Sequence, residues 1–277
     1  MNQLRLVLFG ICLVLGAVFG WRVADSRVVG TGLALWQFPT AAPPKPPLPL
    51  TLDEARGRLQ NQFASIPEYA RYFDLLKSAF PAEYFRIFDG LAVKLASADT
   101  LPPATPNMDR AFFQAARGLR QTHGILAAQA QTARVERIGD VQGRVMQALA
   151  GRDARLCVDF FYGSAEPDFF AFMGQNRALA ADFAMAWLEA MADGKASALK
   201  RPDPDDADLQ VFDDALVQRG LSREAIDALL ESKVATPPLP DASLCQAGII
   251  YFQTLGALPA EPRIRLMARL LALAARS

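Results

Sequence analysis

Apolar residues are distributed along this chain in two ways. Residues 6–21, LVLFGICLVLGAVFGW, form one unbroken run without a charge. From about residue 51 onward, apolar residues instead recur at i, i+3 and i+4 between proline- and glycine-rich breaks, which is the pattern of amphipathic helices. Between the two regimes lies PTAAPPKPPLPL, residues 39–50.

The second regime predicts a series of helices. Thr51 with Glu54 reads as a capping box that opens a helix to about residue 64. Pro67 and Pro81 each suit the first helical position. The two helices they start echo each other, EYARYFDLL over 68–76 and EYFRIFDGL over 83–91. Arg71 with Asp74, and Arg86 with Asp89, stand at i, i+3 and predict an ion pair on each helix. Two amphipathic helices with similar packing needs account for the echo, and a joint docking face is the rival account.

Asn107 can cap a helix over 108–121, and residues 125–151 predict one long helix with Val135, Ile138, Val141, Val145 and Leu149 along one stripe. A further helical piece follows over 152–162. Residues 167–193 predict a single, strongly apolar helix at the centre of the core, with Phe169, Phe172, Met173, Leu179, Phe183, Trp187 and Met191 as its stripe and Gly194 just past its end. Gly220 closes a helix over 206–219, and Ser222 caps the next, to about 232. Asp241 opens a helix to about 255, and Pro259 and Pro262 start the last. Its arginines 263, 265, 269 and 276 make it basic, but apolar residues surround so much of it that it should pack into the body. No run of alternating β-branched residues follows the spacer. The fold class is therefore all-α, with about nine or ten helices.

The apolar run changes the picture of where the chain works. As a helix, residues 6–21 span roughly 24 Å, a little short of a bilayer core, and Trp21 suits the interface. An uncleaved anchor fits better than a secretory signal, because the best small-x-small site, Val18-Phe19-Gly20, is poor. Both readings place the body outside the cytoplasm, in an inner membrane, single-pass and periplasmic, or secreted after cleavage. Gly16 and Gly20 make a G-x-x-x-G, a helix-dimer motif in lipid, so a homodimer is a candidate state, although small residues are common in any leader. The prolines read as a semi-rigid stalk of about 37 Å, with a proline-recognition ligand as the rival. The implied domains are 1–25 anchor, 26–50 linker and 51–277 helical domain, with a weak sub-boundary near 195–206.

The formal net charge of +0 and the lack of a basic stripe argue against nucleic acid. Cys12 lies in the leader, which leaves Cys157 and Cys245. Outside the cytoplasm they read as one disulfide, and two buried thiols are the alternative. Asp203, Asp205 and Asp214 occupy calcium-loop places, but Ala207 and Asp208 spoil the pattern, so the acidic stretch reads as a first helical turn and no metal is implied. The single His123, at a helix end, suits surface or capping duty better than chemistry. Ser164 has no indicated base. No nucleotide, hydrolase or metalloprotease motif occurs, and no cofactor is implied.

These observations predict a membrane-tethered, extracytoplasmic helical protein that binds another envelope protein through its body, with no evident catalytic motif. A carboxylate-dependent hydrolase of cell-wall glycan is one alternative. A lipid or small-ligand carrier, with an apolar cavity under the 167–193 helix, is another.

Overall fold

The computed structural model describes residues 50–97, 107–163, 167–231 and 238–275. The apolar run, Gly16, Gly20, most of the proline-rich stretch and Ser164 lie outside the described residues. None of the described helices is long and apolar enough to cross a membrane. Twelve α-helices and no strand occur among the described residues, two or three more helices than the pattern predicts. They are α1 (Leu52–Ala64), α2 (Pro67–Ala79), α3 (Pro81–Ala96), α4 (Met108–His123), α5 (Thr132–Ala150) and α6 (Ala154–Phe161), then α7 (Pro167–Gln175), α8 (Arg177–Ser197), α9 (Asp206–Gln218), α10 (Arg223–Glu231), α11 (Asp241–Ala257) and α12 (Ala260–Ala274). A short 3-10 helix, Gly124–Gln129, precedes α5.

The first three helices start where local chemistry dictates. Thr51 Oγ1 accepts from the Glu54 amide, and the Glu54 carboxylate accepts from the Thr51 amide. Pro67 and Pro81 fill first-turn positions. The echo between α2 and α3 is a packing echo. Tyr69 and Tyr84, and Phe73 and Phe88, are all buried, with the two phenylalanine rings 5.2 Å apart. The expected ion pairs are not the ones that form. Arg86 bonds Glu83 at 2.7 Å, Asp89 accepts from Arg56 of α1 at 2.8 Å, and Arg71 faces Glu189 of α8 at 3.8 Å. Arg71 and Asp89 thus turn to neighbouring helices, while Arg86 keeps an i, i+3 pair on α3 but with Glu83 before it; each surface pair contributes only a few tenths of a kcal/mol, so spacing alone does not choose among them.

The expected helix over 167–193 is two helices. Asn176, at φ −117° and ψ 47°, separates α7 from α8, and its amide bonds back to Phe172 and Met173. The apolar stripe runs through this break because both helices bury residues on either side of it. Beyond the break α8 is buried on most faces, including Ala180, Ala184, Ala186, Leu188, Ala190 and Met191. A stripe calculation built for a half-exposed helix cannot locate the ends of such an element.

Gly194 does not end α8. It lies inside it, buried, where the backbone of Leu126 closes on the helix. The helix runs on to Ser197 and ends at Ala198, a non-glycine residue at φ +44°. The expected helix over 125–151 is likewise divided, into the 3-10 helix and α5. The first turn of α5 is served from afar, because the Gln131 amide donates to Asp193 of α8 at 2.7 Å. No residue next to residue 132 signals that start, which is why a local reading runs past it.

The remaining helices close the core. Asp205 caps α9 in a second capping box with Asp208. Asp208 is 4% exposed and accepts from Arg265 of α12 through both oxygens, each at 2.6 Å. Gly220, at φ +86°, follows α9, and Ser222 accepts from the Ala225 amide. Leu266, Met267 and Leu271 seat α12 in the body, while Arg263 bonds Glu136 of α5 at 2.8 Å. The segment around 195–206 is stitched to the 3-10 helix: Leu199 donates to Gln129, and Arg201 donates to the carbonyls of Ala128 and Ala130.

Candidate functional site: a groove between α4 and α7 and the polar groups around it

Asn107 accepts from the Arg110 amide and starts α4, which sets Asp109 and Arg110 on its first turn. Across from them lie Pro167, Phe170, Ala171, Gly174 and Gln175 of α7, and the space between is an open groove of about 550 Å³. Arg110 is exposed and has no ion pair among the described residues. Phe170 is half-buried and gives the groove an apolar wall.

Asp109 is the hub at the groove's edge. It accepts from the Tyr69 hydroxyl of α2 at 2.7 Å and from Arg177 of α8 at 2.7 and 3.1 Å. Gly174 permits this approach, since a Cβ there would lie 3.0 Å from Asp109 Oδ2. Burial pushes the Asp109 carboxyl upward, but the bonds from Arg177 and Tyr69 outweigh it and hold the group below its ordinary range. Burial, then the bond to Asp109, drive the Tyr69 phenol far upward. The cluster is thus an ionised carboxylate clamped by a neutral phenol and a guanidinium. It ties α2, α4 and α8 together and supplies no proton at neutral pH.

A second polar cluster lies where α4 ends. His123 Nε2 is 3.1 Å from Glu83 Oε1, and Arg86 donates to the other Glu83 oxygen at 2.7 Å. Burial would raise the Glu83 carboxyl, yet the bonds with His123 and Arg86 leave it lowered. The Phe80 ring lies 5.0 Å from the imidazole, and Lys195 Nζ stands 4.9 Å over the same phenyl ring. His123 therefore sits at a helix end, as its sequence position indicates, and joins α4 to α3.

The structure brings Cys157 of α6 and Cys245 of α11 together as a disulfide, with Cα atoms 5.6 Å apart and both residues buried. Gly16 and Gly20 lie outside the described residues. Asp203, Asp205 and Asp214 do not converge: Asp205 caps α9, Asp214 accepts from Gln210, and Asp203 faces Arg269. Among the described residues no group of three potential metal ligands occurs. Sequence reasoning missed Tyr69, Asp109 and Arg177, because the carboxylate stands 40 and 68 positions from its partners. The one local hint was Asn107, which fixes the turn that carries Asp109. Comparison with protein-family models, with curated proteins and with solved structures found no match for this chain.

Proposed function

We propose that this chain is a membrane-tethered helical protein whose body stands outside the cytoplasm and engages another protein of the cell envelope. The observation that carries the reading is the Cys157–Cys245 bridge between α6 and α11. A buried structural disulfide belongs to an oxidising compartment, the side to which an apolar leader delivers a chain. The uncharged residues 6–21 supply the tether, and the prolines of 39–50 supply a spacer between bilayer and body.

The polar groups favour binding over catalysis. Asp109, Glu83 and Asp208 are each held below their ordinary range by arginine or histidine partners, the opposite of what a general acid needs. The Phe169 to Met191 region is packed with side chains of the core, which disfavours a lipid carrier. Crosslinking in intact membranes tests the proposal. A reproducible heteromeric adduct of the full chain is the expected result, and recovery of monomer and lipid adducts alone would overturn it.

A further inference from the structure

The groove between α4 and α7 carries positive charge that its own residues leave unanswered. The two helices hold two carboxylates between them. Asp109 is engaged by Arg177 and Tyr69, and Asp168 is exposed and does not line the groove. Arg110 does line it, is exposed, and has no ion pair among the described residues. Gln114 and Arg117 follow at i+4 and i+7, on the same exposed face of α4. Asp109 meets Gly174 and Phe113 meets Phe170, so α4 and α7 run antiparallel and the stripe borders the groove toward the start of α7. With Asp109 and Arg177 neutralising each other, the unanswered charge is that of the two arginines.

The opposite wall is apolar and held in place. The Phe170 ring lies 5.9 Å from Phe113 and 5.8 Å from Phe169, which itself lies 5.7 Å from Phe160. These rings support Phe170 from behind, and part of it stays uncovered on the groove side. The volume of about 550 Å³ is that of a ligand site. Small-molecule sites enclose most of their ligand, however, and this groove is open. A cation on one side and a fixed aromatic on the other, without enclosure, suit a piece of chain that is anchored elsewhere. A carboxylate there gains a charge-assisted contact with the guanidinium fork, and its apolar neighbour covers Phe170.

We infer that the groove receives an acidic, aromatic segment of the partner protein, with a carboxylate on Arg110 and an aromatic side chain against Phe170. The inference rests on the reading of the body as a protein-binding domain, and it says where the partner docks and by what chemistry.

The probe is a capped peptide, Gly-Asp-Phe-Asp-Phe-Gly, with fluorinated phenylalanines. It is titrated in excess against the full chain in detergent and read by fluorine NMR. Empty micelles are the blank, and the same peptide with lysine for aspartate is the control. The expected result is saturable broadening with the acidic peptide only, and a Kd that weakens roughly 3–10-fold between about 25 and 250 mM salt. Arg110→Glu abolishes that binding and admits the lysine peptide. Ala171→Trp fills the groove from an exposed position and weakens binding at least about tenfold. Both variants melt with the parent, because both positions are exposed. No saturable binding of the acidic peptide, or binding that ignores both substitutions, would overturn the inference. So would displacement of the peptide by an equal concentration of glycerol phosphate, which would make the occupant a simple anion or a lipid headgroup. Crosslinking in intact membranes separates the two readings. A heteromeric adduct that both substitutions remove supports both readings. An adduct that neither affects leaves the protein-binding reading standing and overturns the groove as its seat. Peptide binding without any adduct would overturn the envelope-partner reading and leave the groove as a peptide site.

Discussion

Replacing Gly194 by alanine should unsettle this protein, although alanine is the better helix former by about 1 kcal/mol. Gly194 lies within α8, two positions after Ala192 and three before the helix ends. A Cβ there would overlap the Leu126 carbonyl oxygen, and would lie 2.8 Å from the Leu126 carbonyl carbon and 3.1 Å from the Ala130 nitrogen. All three are backbone atoms, and the segment that carries them cannot step aside freely. It is bound to α8 and the chain beyond by Gln131 to Asp193 at 2.7 Å, Leu199 to Gln129 at 3.0 Å and Arg201 to Ala128 at 2.8 Å. Overpacking a core typically costs about 1–3 kcal/mol, and each hydrogen bond strained in the retreat adds about 1 kcal/mol. With all three bonds strained and the propensity gain set against them, the net loss is about 3–5 kcal/mol, or roughly 6–20 °C in melting temperature for a domain of this size. Gly90 of α3 is the control, because nothing lies within 4 Å of the Cβ it would gain. Gly90→Ala should stabilise by about 0.5–1 kcal/mol. Urea unfolding followed by circular dichroism reads both variants. A Gly194→Ala protein as stable as the parent would refute the close approach of the 3-10 helix to α8.

Three further outcomes follow from the same packing. Removing the Cys157–Cys245 bridge by a double alanine substitution opens a loop spanning 88 positions. The chain-entropy relation puts the loss at about 4–5 kcal/mol, read as a lower urea midpoint than that of the oxidised parent. The Arg265 guanidinium holds the Asp208 carboxyl below its ordinary range. A carboxyl lowered in this way stabilises fully above the unfolded value near about 4, and that contribution vanishes as pH falls through the lower folded value. Glu83 and Asp109 act with the same sign, so Asp208→Asn should make the acid limb of the stability curve shallower without abolishing it. Ala198 ends α8 at φ +44°, where a side chain is strained. Ala198→Gly should raise stability by up to about 1 kcal/mol in the same urea assay, and a loss there would contradict a left-handed end to α8.

What the sequence discloses is whatever local chemistry determines. Thr51 with Glu54, the prolines at 67 and 81, Asn107 and Gly220 mark helix ends through bonds or torsions within a few residues of themselves. The all-helical class follows from apolar spacing that the structure repeats helix by helix. What it conceals is whatever a distant segment supplies. The start of α5 depends on Asp193, and Gly194 serves the backbone of Leu126 rather than a helix end. Asp109 becomes the hub of a cluster only when α2 and α8 deliver Tyr69 and Arg177. Arg110 carries no sign in the sequence at all, since its distinction is the partner it lacks among the described residues.

The tethered, extracytoplasmic reading meets its most direct test in a count of free thiols on the native chain. Cells are quenched with acid, the membrane pellet is denatured, and thiols are alkylated with a mass tag before and after reduction. The account predicts a single tag on the membrane-bound chain before reduction, on Cys12 of the retained leader, and two more after it. Three tags without reductant would contradict the compartment, and none before reduction with two after would show that the leader had been cut away.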